Sequence, residues 1–295
     1  MQAGVDRVYY ILSLLTGILI SVMVAFNGGL TEQYGLYSAA VLIHIVGLTL
    51  ITAVVLLNRE RIFHKRHAWF LYLGGVIGVL TTVFNNFAFG RISVSAILAL
   101  GLFGQSIAGL VIDQYGLLGM RKYPFTKRKL IGLALILAGI ISMMSNLEIL
   151  AVIVSFAAGI NIVISRTLNA KLAALTSVRI GTFYNYLLGL IISILVFLLL
   201  GSNETALTEF AFSPNWYIYF GGVLGVCVVL LSNITVVKIS AFYLTLLIFT
   251  GKVFSGVLID MIISQELSIR NLTGGILVAI GLSINLLLDN KRLAN

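Results

Sequence analysis

The chain is 295 residues long, 60% apolar and 10% charged, with a mean hydropathy of +1.09. Soluble domains carry nearer a quarter charged residues, so a soluble globular fold is excluded. The net charge of +9 suggests nucleic acid or an anionic lipid surface, and its placement along the chain decides between them.

Ten apolar stretches follow one another, each long enough to cross ~30 Å of hydrocarbon as a helix. They cover residues 8–26, 36–57, 68–89, 92–117, 129–146, 148–165, 179–200, 216–237, 240–264 and 271–289. None alternates as a membrane strand must, so the predicted fold class is an all-α, ten-helix integral membrane protein. Arg7 before the first stretch and Gly28-Gly29 after it imitate a secretory signal. That stretch corresponds to internal stretch six, which argues for its retention. The second stretch leads into a basic loop with Arg59, Arg61, His64, Lys65, Arg66 and His67. The fourth leads into another, with Arg121, Lys122, Lys127, Arg128 and Lys129. Pro124 and Pro214 fall between stretches and leave the helices unbroken. The single cysteine, Cys227, lies inside the eighth stretch, so no disulfide framework exists.

Placed on the loops, sixteen of the nineteen basic residues share one side: those two clusters (less the histidines) with Arg7, Arg166, Lys171, Arg179, Lys238, Lys291 and Arg292. The other side receives Arg91 and Arg270, with Glu32, Glu148, Glu204 and Glu209. This asymmetry predicts cytoplasmic amino and carboxyl termini. The basic runs become orientation signals and lipid-headgroup contacts, and nucleic acid drops out as a partner.

The chain is written twice. Residues 69–113 and 216–260 match without a gap at fifteen of forty-five positions, including Trp69/Trp216, Asn86/Asn233, Gly104/Gly251 and Asp113/Asp260. The flanks repeat at a slightly shorter offset, as Gly17/Gly159, Asn27/Asn169, Gly47/Gly189, Gly132/Gly274 and Gly139/Gly281. Residues 1–146 and 147–295 are therefore two five-helix units. An odd number of crossings inverts the second relative to the first, and the charge placement independently gives the same result.

Lys252 is the most informative side chain. It sits about twelve residues from either end of its stretch, too deep to reach an interface, where a charge costs at least ~3 kcal/mol on insertion scales. Its counterpart is Gln105, and inverted symmetry predicts that the two approach each other near the midplane. Lys252 then binds an anionic group or titrates as a coupling site; the alternative is a structural cation paired with a polar neighbour. No carboxylate lies at the centre of a stretch. Asp113 and Asp260 lie near ends, as gates or helix-end anchors. Further embedded polar candidates are Asn86 and Asn233, His44 and its counterpart Tyr186, Tyr184 and Asn185, for which interhelical hydrogen bonding is the default role. The pairs Gly74/Gly78 and Gly221/Gly225 are expected to let stretches three and eight approach closely. No enzyme motif, cofactor motif or metal-ligand cluster is present.

Trp69, the Gly74-Gly75-x-x-Gly78 helix start, Gly104-Gln105, and Asp113-x-Tyr115-Gly116-x-x-Gly119 resemble the YdcZ-like family of five-helix bacterial proteins in the drug/metabolite transporter superfamily. The chain is similar to a fused pair of such units. The second copy departs where Lys252 replaces the glutamine and Asp260 lacks the following glycines. The resemblance implies a place in the bacterial inner membrane and transport of a small solute, often outward and often with a coupling proton or ion. It also implies that stretches one to four and six to nine line a cavity, with five and ten packed outside. The absence of a central carboxylate favours an anionic, zwitterionic or neutral solute over a simple cation. A lipid or fatty-acid flippase and a non-transporting scaffold are the alternatives, and oligomeric state is open, a homodimer included.

Overall fold

The computed structural model describes residues 2–62, 67–117, 127, 129–144, 148–202, 204, 211–236 and 241–293. It describes their side chains except those of 2–7, 113, 233, 236, 241–243 and 289–293. The Asp113 and Asn233 side chains, His64 and the basic residues Arg7, Lys65, Arg66, Arg121, Lys122, Arg128, Lys238, Lys291 and Arg292 lie outside this description.

Ten α-helices form among the described residues: α1 (Gln2–Tyr34), α2 (Leu36–Leu57), α3 (Leu73–Ala88), α4 (Val94–Tyr115), α5 (Lys129–Met143), α6 (Ile149–Leu175), α7 (Val178–Leu200), α8 (Gly221–Val236), α9 (Ala241–Ser264) and α10 (Ile269–Leu293). Eight are long and apolar enough to cross a membrane; α5 and the Trp216–Ser232 segment are apolar but shorter. Short 3-10 turns, Trp69–Tyr72 and Trp216–Phe220, lead into α3 and α8, with both indoles exposed as befits a membrane–water boundary.

Two helices run eight or more residues past their predicted ends. α1 continues to Tyr34 and stops at Gly35, whose φ of 92° suits glycine. α6 continues to Leu175 because nothing in TLNAKLAAL breaks it; Ser177 then caps α7, its hydroxyl accepting from the Ile180 N–H at 3.1 Å. Arg166, expected in a cytoplasmic loop, is therefore a helical residue inside α6.

Packing pairs the helices across the two copies. α1 lies against α9 and α8, α6 against α4 and α3, α2 against α7, and α5 against α10. Exchanging α1–α5 with α6–α10 maps this set of pairings onto itself. Glycines make the approaches close. A Cβ on Gly17 would strike Gly251 and the Ile248 carbonyl, and one on Gly159 would strike the Gly101 carbonyl beside Gln105. Gly47 faces Tyr186 while its counterpart Gly189 faces His44. α5 and α10 run antiparallel, with Gly132 against Gly281 and Gly139 against Gly274. The expected approach of spans three and eight is corrected: Gly74 makes room for Asn169 of α6, and Gly221 for Asn27 of α1. These glycines join each of α3 and α8 to the other copy's first helix.

The largest apolar core joins α4, α5, α9 and α10 through Ala99, Ile136, Ile140, Phe249, Val253 and Val278, all almost fully buried. The outer surface is also apolar, with Leu57, Ile131, Leu199 and Ile262 each more than half exposed. Such a belt requires lipid.

Candidate functional site

A cavity of about 230 Å³ lies between the two copies. Its described lining comes from α1 to α4 and α6 to α9, and none from α5 or α10. Eleven residues of the first copy line it together with their eleven counterparts in the second. Ile20/Ile162, Asn27/Asn169 and Gly78/Gly225 are identical; the others differ. The cavity is thus built symmetrically but furnished asymmetrically.

Lys252 and Gln105 both line it. Lys252 is 5% exposed. Its carbonyl accepts from the Ser21 hydroxyl of α1 at 2.7 Å, tying α9 to α1 at this depth. Among the described residues its ammonium has neither a hydrogen-bond nor a carboxylate partner. Gln105 turns its amide onto its own helix, donating to the Gly101 carbonyl at 3.3 Å. Arg166 also lines the cavity and keeps accessible surface there, with no partner among the described residues. The two cations lie within coulombic reach of each other.

Around Arg166 the wall is polar. Ser165 donates to the Gly74 carbonyl at 2.7 Å, and Asn169 donates to the Asn185 side-chain carbonyl at 2.8 Å. The corresponding first-copy positions are Met23, Val24, Asn27 and Ile43, of which only Asn27 is polar, and its buried Oδ1 has no partner. His44 is buried, with Nδ1 on the Ala40 carbonyl at 2.7 Å and its ring 5.8 Å from that of Tyr186. The Tyr186 hydroxyl donates to the Gly222 carbonyl at 3.4 Å.

The remaining candidates lie elsewhere. Asn86 is buried off the cavity lining, while its neighbour Asn85 lines it. Tyr184 donates to the Ile62 carbonyl at 3.0 Å and stacks edge-on to Tyr72. Asp260 anchors a helix end. Its carboxylate accepts from the Val94 and Ser95 N–H groups at 2.6 and 3.0 Å, from the Ser95 hydroxyl at 2.5 Å and from Asn271 at 3.2 Å. It thereby caps α4 from α9 and α10. Glu204 does the same for α2, accepting from the N–H groups of Tyr37 and Ser38. Glu60 joins α2 to α7 through Ser177 and an ion pair with Arg179.

Sequence reasoning missed Arg166 and Ser165. The signal was available: the repeat aligns Arg166 with Val24, inside the first predicted span. Among the described residues no three metal-binding side chains cluster.

A family model described as "Putative inner membrane exporter, YdcZ" matches residues 8–142 and again 150–284. The chain belongs to the YdcZ family. The double match makes it a two-copy form, and YdcZ membership makes it a multi-pass inner-membrane transport protein. No curated protein matches in sequence. A solved structure titled "Crystal structure of protein" is similar in fold. Its TM-score is 0.64 at 16% identity, covering 96% of this chain and 98% of that one.

Proposed function

We propose that this YdcZ-family chain is a secondary transporter. It carries a small organic solute, anionic, zwitterionic or neutral, out of the cytoplasm by alternating access between two inverted copies. All ten helices cross or enter the bilayer, and both termini are cytoplasmic. Lys252, Gln105, Arg166, His44, Tyr186 and Asn185 form the solute site, whose occupancy is coupled to a proton or ion gradient.

The observation that carries this reading is the cavity lined by matched residues of both copies. Inverted repeats put a solute at their common interface, and rocking one against the other exposes it to either face. The packing pairs that map onto themselves when the copies are exchanged support the same mechanism. A volume of about 230 Å³ lies below the pockets of drug-sized ligands and suits a metabolite.

Thr82 lines the cavity, so a Thr82→Cys variant in a Cys227→Ser background tests the mechanism. A membrane-impermeant thiol reagent should label it from either face of oriented proteoliposomes. Labelling from one face alone under every gradient applied would defeat alternating access. Flux of any solute that stabilises the purified protein should fall at least tenfold in Lys252→Gln, the scale of one charge-assisted contact. Unchanged flux would remove Lys252 from the pathway.

A further inference from the structure

The cavity's two walls differ in kind. Both cations come from the second copy, Lys252 on α9 and Arg166 on α6, where the first copy has Gln105 and Val24. No described lining residue is acidic. Two neighbouring cations without a counter-ion among the described residues repel each other, and Lys252, almost fully buried, also forgoes solvation, which low-dielectric surroundings make costly. A bound anion would relieve both at once. Arg166 offers a planar fork for two oxygens and Lys252 a point charge, the donor set that suits a carboxylate or phosphate head. On the side of α1, α2 and α8 the wall is mostly aliphatic, with Met23, Val24, Ile43, Val228 and Val229. α8 packs on α1 and α2, so these side chains gather into one apolar half.

We propose that the cavity binds an amphipathic organic anion of metabolite size. Its acidic head sits between Lys252 and Arg166, and its apolar body lies against Met23, Val24, Ile43 and Val228. A bare inorganic ion would leave the aliphatic half empty, and an organic cation would meet two like charges. This assignment rests on the cavity being the solute site, and it narrows the solute to one chemical class.

The test compares aromatic probes with acidic, cationic or neutral head groups and, beside them, bare inorganic anions. Purified protein in phosphatidylcholine nanodiscs is unfolded thermally with 3-phenylpropionate, phenyl phosphate, benzenesulfonate, 3-phenylpropylammonium, 3-phenylpropanol, inorganic phosphate or chloride. A ligand that binds only the folded state raises the midpoint. At least one aromatic anion should raise it by several degrees more than the ammonium, the alcohol and the inorganic ions. Arg166→Gln and Lys252→Gln should each weaken the apparent affinity about tenfold or more. Lys252→Arg should retain much of it, and Leu199→Val, on the exposed outer surface away from the cavity, should retain all of it. All variants are compared at matched monodispersity, so misfolding is read separately. The proposal is overturned if no aromatic anion exceeds its charge-reversed analogue, if inorganic phosphate does equally well, or if the double glutamine variant binds undiminished. Nanodiscs with phosphatidylglycerol form a further arm: stabilisation by that lipid which also abolishes the effect of the free anions would assign the head site to a lipid instead. Anion binding without proteoliposome flux would sink the transport reading while leaving the ligand class standing. Flux of a cation without anion binding would do the reverse.

Discussion

Asp260 accepts two backbone N–H groups and a hydroxyl at the first turn of α4, where four amides have no intrahelical partner. Val94 and Ser95 are almost fully buried, so their N–H groups have little access to water. Removing the carboxylate leaves them unsatisfied and the helix dipole uncompensated, so Asp260→Ala should destabilise the protein by about 2–3 kcal/mol. Asp260→Asn, which keeps an acceptor oxygen, should cost less. Thermal unfolding in nanodiscs measures both, and equal midpoints for the alanine variant and the parent would contradict the anchoring role. Lys252 and Arg166 are placed differently: both line the cavity, and their charged ends meet no protein partner among the described residues. The first residue holds two helices together, while the solute site proposed for the other two calls for free donors.

At the scale of helices, small residues set the distances. A Cβ on Gly104 would collide with the Phe156 carbonyl, which backbone cannot yield cheaply, whereas Gly109 has nothing within 4 Å. Both lie in α4, so the intrinsic gain in helix propensity is the same and packing alone separates them. Gly104→Ala should lose about 1–3 kcal/mol by overpacking. Gly109→Ala should be neutral or gain about 0.5–1 kcal/mol. Midpoints in the reverse order would refute the close approach of α4 and α6. The glycine repeats were legible in the sequence as a packing signal, but their partners were not. Gly74 and Gly221 were expected to bring α3 and α8 together, and each meets an asparagine of the other copy's first helix instead. A small residue announces that something comes close; only the three-dimensional arrangement says what. Helix ends behaved similarly. Apolar length gave the existence of each helix, but α6 ran ten residues past its expected end, because a membrane-exit signal read from charge is not a helix stop. That error is what hid Arg166.

The whole molecule is governed by its exchange symmetry. The repeat, read from fifteen matched positions, puts Gln105 and Lys252 at equivalent positions, and both line the cavity between the copies. It could not anticipate how the two walls differ, because that lies in the positions where the copies no longer match. The proposed inversion makes a prediction at this scale. Asn58 follows α2, and Ser202 lies two residues beyond α7, the helix that corresponds to α2 in the second copy. If the copies are inverted, these equivalent positions emerge on opposite faces, Asn58 toward the cytoplasm beside the basic loop and Ser202 outside. If the copies were parallel, they would share one face. Single cysteines at each, in a Cys227→Ser background, can be reacted in intact cells with an impermeant maleimide. Ser202→Cys should label, and Asn58→Cys should label only after the membrane is permeabilised. Equal labelling of both in intact cells would make the copies parallel. A cavity reached alternately from the two sides would then need another geometry, since rocking of parallel units does not exchange one face for the other.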